Sequence, residues 1–315
     1  TEGSFFAKAT QKLTSKLTGF LDLQFRGIDY NVDGTVSGPQ DFSVDDQFAF
    51  FNPKAGLTFM LSQKQNLYFS YAKAQREPNR TDYENGSPKP EKLNDFELGW
   101  RMKKEKIQAQ ANLYWMEYQD QLVLTGAIDE VGAPIRQNVG KSRRVGIEIE
   151  ATIQLADQWL FKPNLAVSSN QNLDFYFKRD GILQSLGKTQ LAYSPNIVGG
   201  NALVYAPSTH FQVGLLSKYV GKQYMGNINS ENSSLPSYFI SDINAVFSWQ
   251  PKKRVKEIQW STTINNIFNL KYLSNGYFYT YDDDWTSPGQ TTTIEGAGYY
   301  PQAGLHFLSG LKLIF

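Results

Sequence analysis

The stretch NGYFYTYDDDWTSPG, Asn275 to Gly289, sets three successive carboxylates, Asp282, Asp283 and Asp284, among Tyr277, Phe278, Tyr279, Tyr281 and Trp285. Aromatic side chains supply rigid contact area at little entropic cost, and acids beside them attract a cation or bind polar ligand groups. Two readings stay open: a ligand-capture loop, or a solvated surface loop with an aromatic knot. Calcium is the poorest ligand, because the acids do not alternate as they do in an EF-hand loop. Arg76 and Arg80 lie in a second polar loop, where they would either meet an anionic ligand or be solvated.

No catalytic constellation accompanies these residues. The two histidines, His210 and His306, are far apart in the chain and lack metal-ligand spacing. There is no G-x-S-x-G, Walker A or HExxH pattern and no cysteine. The sequence therefore reads as that of a protein that is not an enzyme, with no cofactor and no metal site. With 31 Lys+Arg against 30 Asp+Glu, the net charge of +1 gives no field that would favour nucleic acid.

The elements that would hold such loops are long strands. Apolar residues recur at every second position in segment after segment, which in an extended chain places them on one face. In RVGIEIEATIQL, Val145, Ile147, Ile149, Ala151, Ile153 and Leu155 oppose Arg144, Glu148, Glu150, Thr152 and Gln154. KLTGFLDLQF, KAGLTFMLS, NDFELGWRMK, IQAQANLYWM and the closing LHFLSGLKLIF follow the same rule. Twelve complete strands emerge from Leu17 onward. The short connectors QKQN, KKEK, ADQ, PSTH and QPKKRVKE alternate with long polar loops near 30–47, 75–92, 119–142, 171–194, 222–237 and 268–298. Outer-membrane barrels have this asymmetry of turns, and their low mean hydropathy follows from lining a polar lumen with every second residue.

Tryptophan supports the barrel. Trp100, Trp159, Trp249 and Trp260 sit beside short turns on the apolar side of their strands, where an interfacial girdle belongs, and Trp115 would serve the outer edge. The 40–50-residue hairpin period resembles that of a propeller, but a blade needs four short strands in that length. A soluble all-β binding module stays open, since alternation does not say whether an apolar face meets lipid or a core.

Four stretches carry a family resemblance: YAKAQREPNRTDYE followed by PKPEKLNDFELGWR, then NVGKSRRVGIEIEA, INNIFNLKY and YYPQAGLHFLSGLKLIF. In their order and spacing across residues 68 to 315 they resemble the C-terminal part of a TonB-dependent outer-membrane receptor, and the closing stretch is similar to iron-receptor members. The resemblance implies an all-β, antiparallel transmembrane barrel of about 22 strands around an N-terminal plug. Residues 1–315 would be its C-terminal portion, with the plug, the TonB box and the first strands outside this chain. It implies active uptake of a scarce ligand, a ferric siderophore first, with cobalamin, haem, oligosaccharide and peptide open.

The implied partners are a TonB-type energy-transducing protein, the N-terminal part of the same receptor, lipid and lipopolysaccharide. A surface lipoprotein stays open. The implied location is the outer membrane of a Gram-negative bacterium. Phe315 would be the C-terminal aromatic read by the barrel-assembly machinery. The opposing class is a passive porin-like or adhesive barrel.

Overall fold

The computed structural model describes residues 1–35, 41–128, 132, 134–251 and 255–315. In chain order the strands are β1 (Glu2–Lys12), β2 (Leu17–Thr35), β3 (Asp41–Ser62), β4 (Gln65–Arg76), β5 (Glu91–Lys103), β6 (Ile107–Ile128), β7 (Pro134–Ala156), β8 (Trp159–Arg179) and β9 (Ile182–Gln190). There follow β10 (Ile197–Ser208), β11 (Phe211–Val220), β12 (Gln223–Tyr224), β13 (Ser234–Leu235), β14 (Tyr238–Trp249), β15 (Glu257–Asn265), β16 (Leu273–Asp283), β17 (Thr292–Pro301) and β18 (His306–Ile314). One short helix, α1 (Arg80–Glu84), and a 3₁₀ turn at Glu231–Ser233 complete the described elements.

The ladder runs β1-β2-β3-β4-β5-β6-β7-β8-β10-β11-β14-β15-β18, each neighbour antiparallel. The twelve strands expected from Leu17 onward are all in it. The stretch before them is a full strand, paired from Glu2↔Ile28 to Lys12↔Thr18.

Register builds two unlike faces. Leu57, Phe69, Leu98, Leu113, Ile147, Val167 and Ile197 are directly opposed in turn across seven strands. No protein covers this belt: Leu98 is 50% and Leu113 49% exposed. On the other face, Ser70, Glu97, Tyr114, Gly146 and Ser168 form the corresponding row. A contiguous apolar belt of this extent needs a lipid environment. Trp159 packs on Tyr205 at 4.6 Å beside a tight turn, and the Trp260 Nε1–H donates to Ser309 Oγ at 2.7 Å. Trp249 and Trp115 are exposed, and the Trp100 Nε1–H donates to Gln65 at 3.3 Å.

The expected long loops are corrected in several places. The hairpin of β2 and β3 stays paired out to Thr35↔Asp41, that of β6 and β7 to Ile128↔Pro134, and β8 continues to Arg179 with β9 returning along it. Apolar alternation reports only where a strand has a dry face. Beyond the apolar belt no face is dry along its whole length, since the outer ends meet solvent at some positions and other outer segments at others, and the backbone ladder continues without the pattern. The basic turn between β14 and β15 has Lys252, Lys253 and Arg254 outside the described residues.

Candidate functional site: an aromatic hairpin over the strand tips

The segment from Asn275 is a strand and turn rather than a loop. β16 and β17 form a hairpin paired from Leu273↔Pro301 to Asp283↔Thr292. Alternation along β16 splits the aromatic cluster. Phe278 and Thr280 point one way, while Tyr277, Tyr279 and Tyr281 point the other.

The first face anchors the hairpin. Phe278 packs against Val123, Val139, Phe175, Phe177, Leu191 and Ile228, a hydrophobic cluster built by the outer ends of β6, β7 and β8 and two loops. A register shift between Asn172 and Phe175 breaks the alternation of β8, so Phe175 and Phe177 are buried while Tyr176 is 60% exposed. Burying each such side chain contributes about 1.5–3 kcal/mol. Thr280 pairs with Ala127 of β6, and the Tyr193 hydroxyl donates to the Gly276 carbonyl at 2.9 Å.

Buried Asn227 ties the lobe to the polar face of the sheet. It accepts from Asn172 Nδ2 at 3.2 Å and from the Ala192 amide at 2.9 Å, and donates to the Leu124 carbonyl at 2.8 Å.

Polar straps hold the hairpin's flank. The Asp180 amide donates to Thr293 Oγ1 and the Thr293 amide to Asp180 Oδ1, both at 2.7 Å. Arg179 bridges Glu295 at 2.7 Å, and Glu295 also accepts from Ser230 and Asn232. Burial alone would raise the Glu295 pKa. The donors Ser230, Arg179 and Asn232 outweigh it and hold the carboxyl below its ordinary range.

The second face is open. Tyr277, Tyr279, Tyr281 and Trp285 follow one another at ring-centroid spacings of 6.2, 6.4 and 5.9 Å, with interplanar angles of 18°, 16° and 7°. Tyr300 extends the row at 6.0 Å from Tyr277. Glycine on β17 makes room for it: a Cβ on Gly298 would lie 2.3 Å from the Tyr277 ring, and one on Gly296 2.4 Å from that of Tyr279. Trp285 is 66% and Tyr277 50% exposed.

The acids divide. Asp282 accepts from Thr293 Oγ1 at 2.8 Å and faces Lys178 at 3.7 Å. Asp283 caps the turn, accepting from the amides of Thr286 at 3.0 Å and Trp285 at 3.2 Å, and these bonds lower its pKa. Asp284 is exposed and has no partner among the described residues.

Arg76 and Arg80 do not join the aromatic row. Arg76 bridges Glu91 at 2.6 Å, whose other oxygen accepts the Leu122 amide, and Arg80 bridges Glu84 at 2.7 Å within α1. Tyr300, Glu295 and the two glycines escaped notice because they become visible only once Tyr277, Tyr279 and Tyr281 are paired with the GAG of 296–298. Among the described residues no group of His, Asp and Glu is placed to hold a metal.

A family model described as TonB dependent receptor-like, beta-barrel matches residues 1–270. The catecholate siderophore receptor Fiu of Escherichia coli K12 is 21% identical over 287 residues, covering 81% of this chain and 32% of that protein. This chain therefore spans about a third of the length of that curated relative. The siderophore receptor PiuA from Acinetobacter baumannii superposes with a TM-score of 0.71 at 17% identity, over 99% of this chain and 43% of that one. The copper transporter OprC gives 0.67 at 20% identity, over 98% and 47%. Likeness at such identity concerns fold alone, and the ladder, its uncovered belt and the family match agree: the chain belongs to the TonB-dependent receptor β-barrel family.

Proposed function

We propose that residues 1–315 form the C-terminal portion of the barrel of a TonB-dependent receptor that takes up a ferric siderophore across the outer membrane of a Gram-negative bacterium. The remaining strands, the plug and the TonB-contacting box belong to the rest of the receptor. In this reading the uncovered belt meets lipid and lipopolysaccharide, the five girdle tryptophans mark the interfaces, and Phe315 is read by the barrel-assembly machinery.

The observation that carries the reading is the hairpin of β16 and β17. Six ladder steps separate β15 from β6, yet the hairpin emerging after β15 is seated on the tip of β6. It thus lies across the outer mouth of the sheet, with one face locked to the strand tips and an aromatic row on the other. Such a platform intercepts a ligand with flat apolar faces before it enters the lumen. A passive pore would have no use for an anchored binding face there.

The test replaces residues 275–299 by a short Gly-Ser turn in the full-length receptor. Uptake of radiolabelled iron in complex with a set of siderophores should fall at least about tenfold, with unchanged receptor abundance in the outer membrane. Uptake that persists unchanged for every complex would end the assignment of the site to this hairpin. Uptake that is insensitive to collapse of the proton gradient, with or without the hairpin, would end the active-transport reading.

A further inference from the structure

We propose that the aromatic platform selects an iron complex carrying no net negative charge, of the ferric trishydroxamate class. This rests on the uptake reading above and names the ligand class for the same site. It departs from the catecholate for which the E. coli relative is named.

The charge around the platform is one-sided. From Tyr272 to Pro301 the chain contains Asp282, Asp283, Asp284 and Glu295, and no Lys, Arg or His. The two bases that reach the hairpin are used: Lys178 faces Asp282 and Arg179 bridges Glu295. Asp283 and Asp284 keep their charge uncompensated beside the outer end of the row. Hydrogen bonds from the turn amides stabilise the first as a carboxylate.

The guanidinium groups and the start of α1 are spent elsewhere. A guanidinium grips an oxyanion through paired N–H donors, and a helix start does so through free amides. Among the described residues, Arg26, Arg76, Arg80, Arg136, Arg143 and Arg179 are all in salt bridges. Arg101 and Arg144 lie over the rings of Tyr68 and Tyr118 at 4.2 and 4.3 Å. The start of α1 is closed by its own capping box, with the Asp82 amide donating to Asn79 and the Asn79 amide to Asp82.

Ligand chemistry then decides. Each hydroxamate loses one proton on binding iron, so three of them neutralise a ferric ion. Each catecholate loses two, so three leave a complex with three negative charges. Aromatic faces are electron-rich and repel anions while accepting C–H and cationic groups. A trianion desolvated against this row would also face the two acids with no counter-charge, which is how a site rejects a competitor. A neutral trishydroxamate meets no such penalty, and an ammonium group on it would gain from both the rings and the acids.

The experiment measures equilibrium binding to the purified full-length receptor by quenching of intrinsic fluorescence. One probe is a neutral ferric trishydroxamate and the other the trianionic ferric complex of a triscatecholate. The trishydroxamate should bind at least about tenfold more tightly, and Asp284→Lys, at an exposed position, should narrow that ratio. Equal or tighter binding of the triscatecholate would overturn the charge inference and leave the uptake reading standing. A trishydroxamate preference untouched by Asp284→Lys would overturn the assignment of selectivity to this platform. Binding of neither probe by a receptor with a normal thermal transition would overturn both readings.

Discussion

The molecule lays a tyrosine ring over a glycine of the adjacent strand in two regions, and finishes the arrangement differently in each. On the polar face of the sheet, Tyr68 covers Gly99 and Tyr114 covers Gly146. The Tyr68 hydroxyl donates to Asn112 at 3.0 Å and Arg101 sits on its ring at 4.2 Å, so ring and rim are both occupied by the chain itself. On the outer hairpin, Tyr277 covers Gly298 and Tyr279 covers Gly296, and the remaining ring faces are given to neighbouring rings and to open space. In the sheet the pair is closed and structural. In the hairpin it is left open, as the ligand-capture proposal needs.

The largest test of this contrast removes the anchor beneath the open row. Phe278→Ala should cost about 3 kcal/mol of local stability, the lower end for a buried phenylalanine, because the ring is only partly buried in its cluster. Hydrogen exchange across residues 273–301 should accelerate by about a hundredfold, while amides of β2 to β5 keep their protection. Acceleration spread evenly over the sheet would mean that the outer lobe is not a separate unit.

The second test compares the glycines directly. At Gly99 an added methyl would lie 2.1 Å from a Tyr68 ring that is held at both face and tip, so the ring has nowhere convenient to go. At Gly298 the opposing Tyr277 ring is half exposed and can swing outward. Gly99→Ala should therefore cost about 1–3 kcal/mol, the range for overpacking, and Gly298→Ala clearly less, read from the thermal transitions of the two variants. Ligand affinity should respond in the opposite order. A larger stability loss at Gly298 would show that the hairpin rings are as locked as those of the sheet.

The same contrast explains what was legible beforehand. Strands such as β7 announce themselves because lipid on one side and water on the other impose the alternation of Val145 to Leu155 on the sequence. Trp100, Trp159, Trp249 and Trp260 stand out by type and by their place beside short turns. The candidate site was half legible: Tyr277, Tyr279, Tyr281 and Trp285 stand out by type, whereas Arg76 and Arg80, which stand out by charge, lie in other contacts. Type does not reveal partners. That Arg76 is bound to Glu91, that Asp283 caps its own turn and that Phe278 faces away from its neighbours are matters of register and long-range contact. The outer reaches of β2, β3, β6 and β7 read as loops because no face is dry along their length: where β6 and β7 bury Leu122, Val123 and Val139, they do so against other outer segments and without a period of two.

The smallest expected effect concerns the strap that keeps the open row in place. Glu295 has its pKa held down in the folded protein despite its burial, through the donors Ser230, Arg179 and Asn232. A carboxylate whose folded pKa is depressed stabilises above its unfolded value and loses that contribution as pH falls through the folded one. Loosening therefore belongs to the acid side of the ordinary carboxylate range and is absent near neutrality. Arg179 is 38% exposed, so solvent screening limits the ion pair to about 1 kcal/mol or less. Lowering the pH should raise the exchange rate of the β17 amides by a few-fold after correction for intrinsic rates. In Glu295→Gln that pH dependence should vanish, while the Asp180 and Thr293 bonds keep the hairpin seated. If the mutant retained the full acid response, Glu295 would not be the group that controls the seating of the hairpin.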